Sequence, residues 1–263
     1  MKKLIVSGDS CTDLAFRSIC HPTWDFSWPK WPELLAKHLG MELVCVAKSG
    51  AGNQYIHDTI LDEIVKTPKE EIGLVIAAWS QSFRKDWQTG WLGSWHSKRT
   101  DQDGDLLGWV TKSLRTYLSF QMMCENYNLP YYHFQMGDLF ESYLKGLKPT
   151  ESDRLLHNMT NEDRMKYPGD PLKDEEKLLE IIGKYNKHIN NFIGWPGLQE
   201  KYDRLGGFNM IGHVLGRDGI QMEERGLIVS DQDDHPNEKG HQAITDLLIG
   251  EINVKNIWNV FKT

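Results

Sequence analysis

The chain has 263 residues, with 30 Lys and Arg against 37 Asp and Glu, which gives a formal net charge of −7 at pH 7. A domain typically takes ~150 residues, so the length allows one domain or two and suffices to bury a core without disulfide bonds. The acidic balance argues against nucleic acid as a partner, because binding to a phosphate backbone needs a basic surface. Ten Trp residues stand out in a composition that is otherwise ordinary for a globular protein.

The predicted elements alternate between strands and helices along the chain. Short apolar runs predict strands at residues 3–7, 41–47, 72–79 and 129–136, with a fifth strand at 208–214. Apolar residues at a spacing of three or four predict helices at residues 31–40, 55–65, 106–127 and 239–252. This order predicts an α/β fold, a three-layer αβα sandwich around a five-stranded parallel sheet.

Two stretches interrupt the alternation, at residues 80–105 and 146–176. The first is rich in Trp, Gly, Ser and charged residues, and the second is polar and rich in Pro. Predicted elements of the sheet resume after each stretch. We therefore interpret both as insertions near the functional face of a single domain that spans residues 1–263.

The cysteines and the N-terminus bear on the compartment. None of the four cysteines forms a C-x-x-C pair, so neither a zinc ribbon nor a thioredoxin-like motif is predicted. The apolar run near the N-terminus is too short for a signal peptide, and no run approaches the ~20 apolar residues of a membrane helix. We expect a soluble, cytoplasmic protein with reduced thiols and no membrane partner; the pattern leaves its oligomeric state open.

Candidate functional residues follow the predicted strands, because ligands of an open parallel sheet bind beyond the carboxyl ends of its strands. Gly8-Asp9-Ser10 follows the first strand, Ser-Gly-Ala-Gly-Asn at 49–53 follows the second, and Trp79-Ser80-Gln81 follows the third. An acidic loop at 231–234 precedes His235 near the last helix. A Ser hydroxyl becomes a nucleophile when a base takes its proton and a third group orients that base. Taken singly, Gly-Asp-Ser is a common turn and His-Pro-Asn a common helix start.

The order of these fragments resembles the SGNH (GDSL-type) family of serine esterases and lipases, whose architecture is flavodoxin-like. The resemblance spans the chain but rests on few residues. It implies that Ser10 is the nucleophile and His235 the base of an esterase that uses an acyl-enzyme intermediate, without a cofactor or a metal. It also implies that the backbone N–H groups of Ser10 and Gly50 belong to an oxyanion hole, with Gly52 as the less favoured glycine.

The third block departs from the family pattern. Where the family has G-x-N-D, this chain has Ala78-Trp79-Ser80-Gln81, so the asparagine that completes the oxyanion hole is missing. Loss of one such donor costs about 10²- to 10³-fold in rate. We expect Ser80 to replace it, with Gln81 and Asn53 as alternatives.

The last block departs as well. The family has a D-x-x-H pair, but Gln232 stands three residues before His235 in this chain. A D-x-H spacing would let Asp233 reach the imidazole from a tighter turn, so we expect Asp233 as the acid of the triad. Asp231 is the second choice, and an acidic turn that is merely solvated is the alternative to both.

The tryptophans suggest a substrate. Seven of them fall in two segments that should flank Ser10: Trp24, Trp28, Trp31, Trp79, Trp87, Trp91 and Trp95. Their rings could line a groove for a sugar or an acyl chain; the alternative is core packing, and the spacing of 87, 91 and 95 also fits one face of a helix. We expect a small-molecule or carbohydrate ester with an acetyl or short acyl group. The residues expected near it are Asp9, Asn53, Trp79 and Arg84, although Arg84 also fits an ordinary surface charge.

Two other functions compete with an esterase. The departures from the family pattern would suit a catalytically weak or inactive module that binds a glycan or a protein through the Trp-rich face. A metal-dependent phosphoesterase would use a cluster of oxygen and nitrogen ligands near the last helix, namely Asp231, Asp233, Asp234, His235 and His241.

Overall fold

A computed structural model describes residues 1–89, 94–99, 104–139, 171–194, 209–216 and 226–254. The strands are β1 (Lys3–Ser7), β2 (Glu42–Cys45), β3 (Ile72–Trp79), β4 (Arg84–Thr89), β5 (Ser94–Arg99), β6 (Tyr131–Gln135), β7 (Phe192–Ile193), β8 (Ile228–Ser230) and β9 (Asp233–Pro236). The longer helices are α1 (Trp31–Leu39), α2 (Asn53–Lys66), α3 (Leu106–Asn126), α4 (Pro171–Asn186) and α5 (Glu238–Val254).

Five of these strands form one sheet in the order β2-β1-β3-β6-β7. Each neighbouring pair in it is parallel. Counted along the chain, this is the 2-1-3-4-5 order of flavodoxin-like folds, in which ligands bind outside the carboxyl ends of the strands. The predicted fold class, α/β with a five-stranded parallel sheet, is therefore confirmed.

The two faces of the sheet are covered by different helices. Because successive side chains of a strand point to opposite faces, Ile5 and Val75 pack with α2, α3 and α4. Leu4 and Ile76 point the other way and pack with α1 and α5. All eight residues of β3 are buried, as expected for a strand covered on both faces. The result is the predicted three-layer αβα arrangement.

The predicted fifth strand at 208–214 is wrong. Residues Met210–Val214 form a short helical turn, which begins where the Asn209 side chain accepts a hydrogen bond from the Gly212 N–H at 2.6 Å. A local side-chain bond of this kind competes with strand pairing. The strand that completes the sheet is β7, whose two residues are too few to show a periodic pattern.

The first insertion contains a β-hairpin rather than the helix that the Trp spacing allowed. β4 and β5 pair in an antiparallel register that places Trp87 opposite His96 and Gln88 opposite Trp95. The hairpin is held to α2, where the Trp95 ring meets Tyr55 edge to face at 5.3 Å between centroids. Trp91 and residues 146–170 of the second insertion lie outside the described residues, and the single domain stays a prediction.

The alternation of buried and exposed positions on α3 can be tested directly. Leu114→Ala should lower the free energy of unfolding by about 2–5 kcal/mol, because Leu114 is fully buried and its removal leaves a cavity. Met122→Ala, on the exposed side of the same helix, should change it by less than about 0.5 kcal/mol. Urea unfolding followed by circular dichroism measures both; equal losses would contradict the packing described for α3.

Candidate active site

Ser10 sits in a tight turn directly after β1. The carbonyl of Asp9 accepts hydrogen bonds from the N–H groups of Thr12 (2.9 Å) and Asp13 (3.0 Å), which reverses the chain. Gly8 allows this turn, because a Cβ there would lie 2.3 Å from the Thr12 hydroxyl oxygen. The turn presents the Ser10 side chain at the carboxyl edge of the sheet.

His235 lies between Ser10 and Asp233. Its Nε2 is 2.7 Å from Ser10 Oγ, and its Nδ1 is 2.5 Å from Asp233 Oδ1. With the proton on Nδ1, the ring donates to the carboxylate and accepts from the serine hydroxyl. The arrangement is therefore that of a nucleophile, a base and an orienting acid in hydrogen-bond contact.

The short spacing between Asp233 and His235 follows from the local backbone. Both residues belong to β9, and residues two apart on a strand point to the same side. On extended backbone, the Asp and His of a D-x-H pair can therefore touch each other. The two residues of a D-x-x-H pair are three apart and face the same side on a helical turn instead. Asp231, the second choice for the acid, is exposed, whereas Asp233 is buried.

The electrostatics of this pair stabilise an ionised carboxylate beside the imidazole. Burial by itself lowers the pKa of His235, but the hydrogen bond and charge of Asp233, with the charges of Asp234 and Asp9, outweigh it and raise that pKa. Burial raises the pKa of Asp233, yet the hydrogen bonds and charge of His235, with a contribution from the nearby Ser18, bring that pKa below its ordinary value. Asp233 therefore stays ionised and favours the protonated form of His235.

The segment after Ser10 supports the loop that carries the acid and the base. The Phe16 ring stacks on the His235 imidazole with 4.3 Å between centroids. Nearby, His21 Nε2 lies 2.6 Å from the Ser230 hydroxyl oxygen, and the Cys20 thiol donates to the Gln232 carbonyl at 3.5 Å. No motif in the sequence marks these supporting residues.

The glycine-rich turn after β2 is shaped by Gly50. The Ala51 N–H donates to the Lys48 carbonyl at 3.0 Å, and Gly50 adopts φ +83°, a value that favours glycine at the third position of a type II turn. No described residue accepts a hydrogen bond from the N–H of Gly50 or from that of Ser10. Both backbone donors expected for an oxyanion are thus unoccupied within the described residues.

Gly52 has a different role. Its N–H donates to Asp86 Oδ1 at 2.8 Å, and Asp86 Oδ2 accepts from the Tyr55 N–H at 3.0 Å, so Asp86 of β4 caps the start of α2. A Cβ on Gly52 would lie 2.6 Å from Asp86 Oδ2. Gly52 therefore permits the close approach of the hairpin. Asp86 has a structural role that no motif in the sequence indicates.

Ser80 does not fit the expected role of an oxyanion donor. It is fully buried, its N–H donates to Asn53 Oδ1 at 2.8 Å, and its hydroxyl donates to Asp9 Oδ2 at 2.9 Å. The Asn53 amide nitrogen donates in turn to the hydroxyls of Ser113 (3.1 Å) and Tyr117 (3.4 Å). The donors of Ser80 and Asn53 are thus engaged inside the protein. Gln81 is the remaining alternative; it is buried, and its side-chain oxygen has no partner among the described residues.

Asp9, Asn53 and Trp79, which were expected near a substrate, are all buried. Asp9 is buried, and its Oδ1 accepts from the Cys11 N–H at 3.2 Å while Oδ2 accepts from Ser80. Trp79 is fully buried, stacks on Tyr117 with 4.6 Å between centroids and donates from Nε1 to His133. Packing and internal hydrogen bonds thus use these side chains among the described residues, and their expected contact with a substrate stays a prediction. Arg84 is half-buried at the start of β4.

The ligands weighed for a metal-dependent phosphoesterase are only partly brought together. Ligand atoms of Asp233, Asp234 and His235 lie within 4.8 Å of one another. His241 is instead buried on α5, where its Nδ1 accepts from the Trp31 N–H at 3.2 Å. Burial lowers the pKa of His241 to about 3, so it stays neutral there. This histidine belongs to the packing of α1 against α5.

The cysteines and the helices bear on the expectations of reduced thiols and of no membrane span. The four cysteines are free, and burial holds the pKa of the Cys11 thiol well above its ordinary value, so it stays protonated beside Ser10. No helix within the described residues is long and apolar enough to span a bilayer.

No protein-family model and no curated protein matches this sequence. Solved structures similar to it include a psychrotrophic esterase EstA from Pseudoalteromonas sp. (12% identity, 96% of this chain and 97% of that one, TM-score 0.45). A member of the lipolytic protein G-D-S-L family from Veillonella parvula is similar at 12% identity; the match covers 95% of this chain and 97% of that one, with a TM-score of 0.46. An acetyl xylan esterase is similar at 11% identity; the match covers 95% of this chain and 99% of that one, with a TM-score of 0.42.

The internal role of the Ser80 hydroxyl can be tested by stability. Ser80→Ala should lower the free energy of unfolding by about 1–3 kcal/mol, because it leaves a buried oxygen of Asp9 without its donor. Ser27→Ala is a matched control, since its hydroxyl donates to an exposed aspartate, Asp25, at the same distance of 2.9 Å. The control should lose less than about 0.5 kcal/mol in urea unfolding. Equal effects would show that the buried bond has no special weight.

Proposed function

We propose that this protein is a serine hydrolase that cleaves a carboxylic ester through an acyl-enzyme intermediate. The observation that carries the proposal is the position of His235, 2.7 Å from Ser10 Oγ and 2.5 Å from Asp233 Oδ1. Two donors unoccupied within the described residues, the N–H groups of Ser10 and Gly50, support it further.

The reaction follows from these groups. His235 Nε2 takes the proton of Ser10 while Oγ attacks the ester carbonyl, and Asp233 holds the imidazole in the required tautomer. The N–H groups of Ser10 and Gly50 donate to the developing oxyanion. His235 then protonates the leaving alkoxide, and a water molecule repeats the sequence on the acyl-enzyme to regenerate Ser10.

The finer part of the proposal is that the ester is an acetyl or short acyl group on a carbohydrate. Two tryptophans with exposed rings support it, Trp24 at 49% and Trp87 at 40% exposure. Trp24 stacks on His21 with 3.9 Å between centroids, and His21 in turn contacts the loop that precedes Asp233. An exposed aromatic face beside the site suits the apolar face of a sugar ring.

Ser10→Ala tests the nucleophile. The variant should lose hydrolysis of para-nitrophenyl acetate by about 10³-fold or more and should not react with a fluorophosphonate probe, whereas the wild type should be labelled. Ser27→Ala, at an exposed serine, should behave like the wild type. Retained activity in Ser10→Ala would remove Ser10 from the role. A wild type that is neither labelled nor active would favour the binding module over the enzyme.

Asp233→Asn tests the acid through the pH dependence. His235 must be neutral to act as a base, so kcat/KM should fall as the pH drops through its raised pKa. Without the charge of Asp233 that pKa falls, so the acid limb should move to lower pH, while the maximal rate drops by up to about 10⁴-fold. Asp231→Asn, at the exposed aspartate of the same loop, is the matched control and should leave both unchanged. An unshifted limb in Asp233→Asn would contradict the assignment.

A further inference from the structure

The guanidinium of Arg84 lies against the turn that presents Gly50. Its Nη1 donates to the Ala51 carbonyl at 3.1 Å. The stem of Arg84 packs closely on the same turn, since a Cβ on Gly52 would lie 2.9 Å from Arg84 Cβ. These two contacts hold the guanidinium in place. They do not involve its other edge, which Nε and Nη2 form.

That second edge has no partner in the described part of the chain. Nε is buried and without an acceptor, and Nη2 makes no hydrogen bond to a described residue. Asp86 stands two residues along the same strand, but its oxygens accept from the N–H groups of Gly52 and Tyr55 and from the Ser97 hydroxyl. A buried donor without an acceptor is costly, so this edge of Arg84 is suited to a group from outside the chain.

The chemistry of the edge selects its ligand. Nε–H and Nη2–H are parallel donors on a planar cation, and they match the two oxygens of a carboxylate. The rest of the site favours cations, because Asp9, Asp233 and Asp234 surround His235 and the chain is acidic overall. Arg84 therefore supplies a local positive charge that opposes those carboxylates.

Arg84 is also close to the nucleophile. It contacts the turn that carries the Gly50 N–H. Burial and the surrounding aspartates raise the pKa of Cys11, the residue after Ser10, and the charge of Arg84 acts on it in the opposite direction. A carboxylate on Arg84 would thus lie within the same site as the scissile ester.

We propose that the Nε and Nη2 edge of Arg84 binds a carboxylate of the substrate, so that the preferred esters carry a carboxylate near the scissile bond. This inference rests on the proposed function, because it names the substrate class of the same site. The sequence left open whether Arg84 contacts the substrate or is a surface charge. A preference for charged over neutral esters distinguishes the two.

The test compares charged and neutral esters of similar shape. Para-acetoxybenzoate against para-acetoxybenzamide places the carboxylate on the alcohol side. Mono-para-nitrophenyl adipate against para-nitrophenyl hexanoate places it on the acyl side. We expect the wild type to favour the charged member of at least one pair in kcat/KM, and Arg84→Gln to reduce that preference by about 10- to 100-fold. Arg84→Lys, which keeps the charge but not the fork, should lose part of it.

Lys85→Gln is the matched control, because it removes the same charge from the neighbouring, exposed position. It should keep the wild-type preference. The ratio of charged to neutral ester also separates this role from damage to the turn at Ala51, which would slow both esters alike. The inference is overturned if the wild type shows no preference for the charged ester, or if Arg84→Gln leaves that preference unchanged. In either case the proposed function still holds if the activity depends on Ser10. An inert wild type with an unlabelled Ser10 overturns both.

Discussion

The carboxylate of Asp9 is the group on which the rest of the candidate site depends. It accepts a hydrogen bond from the Cys11 N–H on one oxygen and from the Ser80 hydroxyl on the other. The first bond closes the turn around Ser10, and the second ties that turn to the end of β3. Because the bonds are buried, they are stronger than equivalent bonds in water, and their loss would be correspondingly costly. The candidate nucleophile, Ser10, is thus held in place by a buried neighbour that has no part in the proposed reaction.

The network behind Asp9 joins the ends of three strands to two helices. Ser80 is bound through all of its polar groups, since its carbonyl accepts from Gln135 at 2.8 Å while its N–H and hydroxyl donate to Asn53 and Asp9. Gln135 ends β6 and accepts from Tyr117 of α3 at 2.8 Å. A polar cluster satisfied in this way fixes the relative positions of the strand ends, and these positions set the geometry of the candidate site.

Much of the fold and part of the site could be predicted from the sequence. Strands such as β3 are uniformly apolar, and helices such as α2 repeat their apolar residues at helical spacing, so both were visible as patterns. The order of the blocks predicted Ser10 and His235, and a D-x-H spacing predicted Asp233; the structure brings these three side chains into hydrogen-bond contact. β7 was missed because two residues show no period. The fate of Ser80, Asn53 and Asp9 depends on partners far away in the chain, which no local pattern reveals.

The hydrogen bond between Ser10 and His235 closes a separation of 225 residues along the chain. During synthesis the serine leaves the ribosome long before its base does. Until the segment around β9 has been made and α5 has packed on the sheet, Ser10 is an ordinary hydroxyl in a growing chain. The contact that would activate Ser10 therefore forms only after the segment around β9 has been made, and a shorter nascent chain lacks the candidate base.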